Sequence, residues 1–136
     1  TTLSLRVMTP NQVAWDSEVQ EVILSTISGQ VGVLANHAPL LAALDIGVLK
    51  IRTERRWSVL ALMGGFAVVD ENRVTVLVNE ADKAADLEPQ RVKEAYLSAQ
   101  TELAQATGRK KMIEANLAFR RAKARLDAVI AATVPD

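Results

Sequence analysis

His37 is the single histidine in 136 residues, and histidine is the side chain that ordinarily changes charge near neutral pH. It lies in the turn-like segment Asn36-His37-Ala38-Pro39. Acid–base or nucleophilic catalysis needs a second group beside it, and the sequence assigns none. His37 therefore reads as a residue that orders its loop or contacts a partner. Gly29-Gln30-Val31-Gly32 has glycines but no Lys-Ser/Thr tail and leads into no helix, so it is not a phosphate loop. It reads as a turn glycine followed by a strand glycine. The chain has no cysteine, which removes disulfides, thiolate metal sites and cysteine nucleophiles. One histidine cannot build a multi-histidine metal site. No catalytic constellation can be assembled, so an enzyme is disfavoured.

The remaining chemistry is charge. Gly108–Arg125 holds seven Lys/Arg and one acidic residue, Glu114. Three readings stay open for this cluster. It is a solvated helix face, a nucleic-acid contact, or a surface that docks an acidic protein or a phosphate. Nucleic acid is poorly served, because Phe119 is the only aromatic in the cluster and stacking would be weak. Arg121 and Arg125 are four apart and project from one helical face, a spacing that suits a carboxylate pair or a polyphosphate.

The elements that must position these residues divide near residue 87. The chain is 49% hydrophobic and 24% charged, with a formal net charge of +0, a globular composition with no bulk attraction to nucleic acid or anionic membrane. The zero hides an asymmetry. Residues 1–87 carry 7 Lys/Arg and 10 Asp/Glu, and residues 88–136 carry 9 and 6, giving −3 and +3. The first part holds five of the six glycines and most β-branched residues, the second eleven alanines. The first therefore predicts short strands and the second helix. Leu3, Leu5 and Val7 alternate with Ser4, Arg6 and Met8, as in a half-buried strand. Further strands are expected at 18–25, 30–34, 40–44, 48–53, 57–63, 66–69 and 73–78, separated by breakers that include Ile46-Gly47 and Gly64-Gly65. Such spacing predicts a sandwich or small barrel. Gly64-Gly65 is read as a corner between strands, with close approach of another backbone as the alternative.

In the second part Val92, Tyr96, Ala99, Leu103 and Ala106 are spaced 4, 3, 4, 3, and so are Ala115, Phe119, Ala122, Leu126 and Val129. Two such stripes predict an antiparallel hairpin, with Asp86 capping its first helix, Gly108 ending it and 109–111 forming the connection. Four of the ten seam positions are alanine, so the seam is expected to cohere weakly. No apolar run approaches the ~20 residues of a membrane span. No basic-then-apolar leader is visible, so no retained signal peptide is expected.

The order of these motifs resembles a known family. The stretch Ile23–Leu40, with Gly29, Gly32 and His37-Ala38-Pro39, is similar to a region of the epsilon subunit of F-type ATP synthase. The similarity continues through Leu62-Met63-Gly64-Gly65-Phe66-Ala67, Val74–Asn79 and Glu114–Leu126. The wording around 24–30 and 61–66 resembles the chloroplast and cyanobacterial branch. The resemblance implies a flattened ten-stranded β-sandwich over 1–87 and a regulatory antiparallel two-helix hairpin over 88–136. It implies a non-catalytic rotor subunit of the central stalk, without a cofactor, that couples proton flow to ATP synthesis. The implied partners are the gamma subunit, the c-ring and the α/β catalytic head. Nucleic acid is not a partner, and the membrane is met only through the complex. The implied location is the stromal face of the chloroplast thylakoid, or alternatively a cyanobacterial thylakoid. Ser28, Gly29, Gln30, Val31 and Gly32 would meet the c-ring and His37 the gamma subunit. Arg120, Arg121, Lys123 and Arg125 would meet an acidic surface of β when the hairpin extends and restrains ATP hydrolysis. Some family members bind ATP through an Ile/Leu-Asp-x-x-Arg-Ala motif and arginines on the second helix. Arg91, Arg121 and Arg125 match, but Glu88, Val92 and Ser98 depart from the pattern, so ATP binding is expected to be weak or absent. The rival reading is a nucleic-acid-binding helical hairpin on a β-sandwich platform.

Overall fold

The computed structural model describes residues 1–133. β1 (Leu3–Met8) buries Leu3, Leu5 and Val7 and turns Arg6 to solvent, as the alternation requires. It pairs antiparallel with β2 (Val13–Val19) and parallel with β7 (Arg73–Val78). β3 (Glu21–Thr26) and β4 (Gly29–Leu34) form a hairpin. β5 (Leu40–Thr53) and β6 (Arg56–Asp70) are long antiparallel partners, and the short β8 (Ala81–Lys83) pairs with the first half of β6. The hydrogen-bonded order is β2-β1-β7-β6-β5-β3-β4, with β8 beside β6.

The expected count of ten strands is corrected to eight among the described residues. β5 and β6 each run through both layers of the sandwich, so each replaces two of the short strands expected from the resemblance. One layer contains β2, β1, β7, the second half of β6 and the first half of β5. The other contains β8, the first half of β6, the second half of β5, β3 and β4. The layers close on a core of Leu3, Leu5, Leu24, Leu49, Ile51, Leu60 and their neighbours.

The sheet bends between layers along one line. On that line lie Asp45 in β5, Gly64-Gly65 in β6, and Asn79-Glu80 between β7 and β8. Asp45 and Gly64 are the positions skipped in an otherwise continuous β5–β6 register. Gly64-Gly65 therefore bends a strand without ending it, and Ile46-Gly47 likewise lies within β5. At Gly65 (φ +153°) an added Cβ would lie 2.0 Å from the Leu77 carbonyl oxygen. The close backbone approach is thus real and coincides with the bend. The segment expected as one strand over 18–25 is two. Gln20 interrupts it by donating its N–H to the Arg52 carbonyl at 2.8 Å.

A 3-10 turn (Ala84–Asp86) leads to α1 (Pro89–Gln105), and α2 (Arg109–Thr133) follows. Asp86 does not cap α1. Glu88 occupies the cap position without a side-chain bond and Pro89 opens the helix, where its missing N–H costs nothing. The connection is 106–108, and 109–111 already belong to α2 because Met112 N–H bonds the Gly108 carbonyl at 3.0 Å. All ten seam positions are buried or half-buried, and the Tyr96 and Phe119 rings meet at 5.4 Å.

Candidate functional site

β6 is apolar on both faces through Val59–Met63. Leu60 and Leu62 fill the sandwich, whereas Val59, Ala61 and Met63 point outward and meet Ala84, Ala124 and Ala128. The strand's period of two thus builds a seat for α2 on the outside of one layer. Alanines on the helix side allow close approach to the larger Val59 and Met63 of the strand, which are almost fully enclosed there.

Ion pairs surround this seat. Arg125 Nε donates to Asp82 Oδ2 at 2.9 Å, and its Nη2 lies 3.6 Å from Glu80 Oε2. Arg120 pairs with Asp45. Lys123 is held by Asp127 at 2.9 Å within the helix, and Arg91 by Glu88 at 3.2 Å. Arg121 is half-buried, with its Nε enclosed and lacking a partner among the described residues. The structure therefore draws Arg91 and Arg125 to different carboxylates. Of the residues assigned to an acidic surface, Arg120, Lys123 and Arg125 are engaged by acids of this chain. The spacing of the cations was legible in the sequence. Their carboxylate partners were missed, since Asp45 and Asp82 lie 75 and 43 residues away from them.

The turn between β3 and β4 is shaped by Thr26. Its Oγ1 donates to the Gly29 carbonyl at 2.6 Å and accepts the Ser28 N–H at 3.2 Å. This bond pair fixes an exposed tip formed by Ile27, Ser28, Gly29 and Gln30, with Val31 half-buried and Gly32 exposed on β4. Ile27 is 70% exposed, an apolar point on an otherwise polar turn. His37 is half-buried. Its N–H bonds the Leu34 carbonyl and its Nδ1 lies 2.6 Å from the Ala38 carbonyl oxygen. The loop is tied to the β6–β7 turn, because Asn72 Oδ1 accepts the Asn36 N–H at 2.6 Å. Asn36 and Asn72 both have φ above +60°, a conformation asparagine tolerates. His37 thus lies in a loop held by backbone and side-chain hydrogen bonds.

One surface escaped the sequence reading. On the outer face of the β7-containing layer, Leu41 (72% exposed), Phe66, Val68 and Leu77 stand open. Register makes them neighbours, since Leu41 lies opposite Val68, Phe66 opposite Leu77, and Leu77 opposite Met8. The signal was available in Phe66–Val69, which is apolar where alternation would put a polar residue outward. Contiguous apolar surface of this kind marks an interaction site. Among the described residues no group of three His, Cys, Asp or Glu could hold a metal, and no helix is long and apolar enough to cross a membrane.

Comparison with known proteins gives a consistent result along the chain. The family model "ATP synthase, Delta/Epsilon chain, beta-sandwich domain" matches residues 2–84, and "ATP synthase, Delta/Epsilon chain, long alpha-helix domain" matches residues 86–129. The chain is 67% identical over 128 residues to the chloroplastic ATP synthase epsilon chain of Huperzia lucidula, covering 94% of this chain and 93% of that one. It is 63% identical over 126 residues to the corresponding chain of Adiantum capillus-veneris, covering 93% and 96%. Among solved structures, a chain of the Euglena gracilis mitochondrial ATP synthase (OSCP/F1/c-ring, rotational state 1) superposes with a TM-score of 0.82 at 21% identity. That superposition covers 95% of this chain and 81% of the other, and it speaks for the fold.

Proposed function

The chain belongs to the ATP synthase delta/epsilon family, as an epsilon chain of the chloroplast type with no catalytic role of its own, and from that premise we propose how its surfaces serve the enzyme. Residues 1–87 bind the gamma subunit and rest on the c-ring, so that the chain turns with the central stalk and couples proton flow to ATP synthesis. Residues 88–136 regulate. They lie against the sandwich in one state and extend towards the α/β head in another, where Arg120, Arg121, Lys123 and Arg125 meet an acidic surface of β and hydrolysis is restrained. The complex stands on the stromal face of the thylakoid.

The open apolar face of Leu41, Phe66, Val68 and Leu77 carries this reading. Such a band on the side of the sandwich away from the hairpin suits permanent contact with a large partner, and we assign gamma to it, with the His37 loop at its margin. The Ser28–Gly32 segment is assigned to the polar loops of the c-ring. Arg91, Arg121 and Arg125 have different surroundings, which favours weak ATP contact at most. The rival nucleic-acid reading loses ground because three cations of the basic stretch are already matched by carboxylates of the same chain.

The test is a titration of gamma with the full chain and with Phe66→Glu. The substitution should weaken binding about tenfold or more, as a buried charge at an interface centre does. Cysteines placed singly at Ser28 and Gln30 should crosslink to the ring. Undiminished gamma binding by Phe66→Glu would overturn the assignment of the face. Crosslinks from Glu71 or Asn72 in place of Ser28 and Gln30 would reverse the orientation.

A further inference from the structure

Arg120 and Arg125 are five residues apart, about 140° around a helix of 3.6 residues per turn. Ala124 and Ala128, which touch the sheet, fall between them. The two arginines therefore flank the contact strip, one on each side. The sheet beneath is arranged to match. The strip sits on β6, whose neighbours here are β8 and β5. Arg125 reaches over one side to Asp82 in β8 and Glu80 just before it, and Arg120 reaches over the other to Asp45 in β5. Asp45 and Glu80 both lie on the bend between layers, with side chains 46% and 58% exposed.

We infer that Asp45, Glu80 and Asp82 form an electrostatic latch that straddles β6 and holds the hairpin down, so that Arg120 and Arg125 become available to another acidic surface only when the latch opens. The inference rests on the reading of the hairpin as a moving arm and adds what sets its resting position. The alanine strip supplies close contact with Val59, Ala61 and Met63, and the ion pairs on its two margins add to that docking. A groove of about 340 Å³ beside the strip, lined in part by Asp45, Lys50 and Asp127, admits water and ions to the Asp45 side. All the paired side chains are 30% or more exposed, so salt screens them. The same two cations thus serve two mutually exclusive sets of carboxylates, one in this chain and one in the partner. Removing the arginines weakens both states, whereas removing the three carboxylates weakens one.

Because the chain lacks cysteine, two introduced at exposed Asn11 and Ala118 can carry spin labels for a distance measurement on the isolated full chain. The parent should give one docked population. Asp45→Asn/Glu80→Gln/Asp82→Asn should move the docked-to-released ratio about tenfold towards release, the combined effect of several modest pairs. About 0.5 M salt should release the parent and leave the triple variant little changed. The charge swap Asp82→Arg/Arg125→Asp should restore docking lost in either single change, which a folding defect would not do. In the assembled enzyme the triple variant should inhibit ATP hydrolysis more strongly than the parent. An unchanged distance distribution in the triple variant, or failure of the swap to rescue, overturns the latch. Release in the isolated chain without any change in ATPase activity leaves the latch standing and overturns the reading of the hairpin as an inhibitor.

Discussion

Replacing Ala128 by leucine should release the hairpin without unfolding the sandwich. Ala128 is fully buried and Ala124 is 3% exposed, and they face Val59, Ala61 and Met63, all similarly enclosed. Three further carbons have no room there, and overpacking of this kind costs ~1–3 kcal/mol. The cost falls on the docked state alone. At ~1.4 kcal/mol per tenfold, the docked-to-released ratio should fall ~5–150-fold. The sandwich interior is spared because Leu60 and Leu62, on the opposite face of β6, fill it. Amide hydrogen exchange of the isolated chain should show faster exchange in the second half of α2, with thermal unfolding of the sandwich shifted by no more than a few degrees. The same change at exposed Ala118 should leave exchange as it was. In the assembled enzyme the Ala128→Leu chain should inhibit ATP hydrolysis more strongly. If α2 in Ala128→Leu exchanges at the parent rate, the seat has slack and close packing does not set the hairpin's position.

Gly65→Ala should fail to fold or lose ~3 kcal/mol or more in denaturant titration, because its Cβ would lie 2.0 Å from the Leu77 carbonyl oxygen. Thr26→Val removes both bonds that shape the β3–β4 turn. It should cost ~1–2 kcal/mol and reduce crosslinking to the ring from Ser28 and Gln30. Asn72→Gly keeps the positive φ but strips the acceptor from the Asn36 N–H. It should cost ~0.5–1.5 kcal/mol and weaken gamma binding if the His37 loop contacts that subunit. Calorimetric titration with ATP should show no affinity tighter than millimolar, about −4 kcal/mol, since Arg125 is held by Asp82 and Glu80.

What was legible in the sequence was what repeats locally. The alternation of Leu3, Leu5 and Val7 and the 4, 3, 4, 3 stripes of the hairpin report which face is covered, and coverage depends on nearby spacing. Glycines misled at Ile46-Gly47 and Gly64-Gly65. Glycine often ends strands, but here Gly64-Gly65 bends β6 between layers while its pairing with β5 continues, and Gly47 stays in register opposite Leu62. β8, with three residues, is too short to leave a periodic signal. The pairing of Arg125 with Asp82 and of Arg120 with Asp45 depends on how two distant segments lie together, and no local pattern records that. The exposed face of Phe66 and Leu77 left a trace in the sequence, an apolar residue on each side of the strand, which burial on both faces would also explain.

The parallel pairing of β1 with β7 has a consequence for how the chain is made. Every pair in it, from Ser4 with Arg73 to Met8 with Leu77, joins residues 69 apart in sequence. At ~5–20 residues per second, a ribosome needs roughly 3–14 seconds to supply the second partner after the first has emerged. Until then β1 has only β2 as a hydrogen-bonded neighbour, and a lone two-stranded hairpin is marginal in water. The nascent chain thus passes through an interval in which one edge of β1 is unpaired and open to holding chaperones or to misassociation. The interval ends when β7 arrives, and β8, which follows three residues later, completes the platform on which α2 settles last.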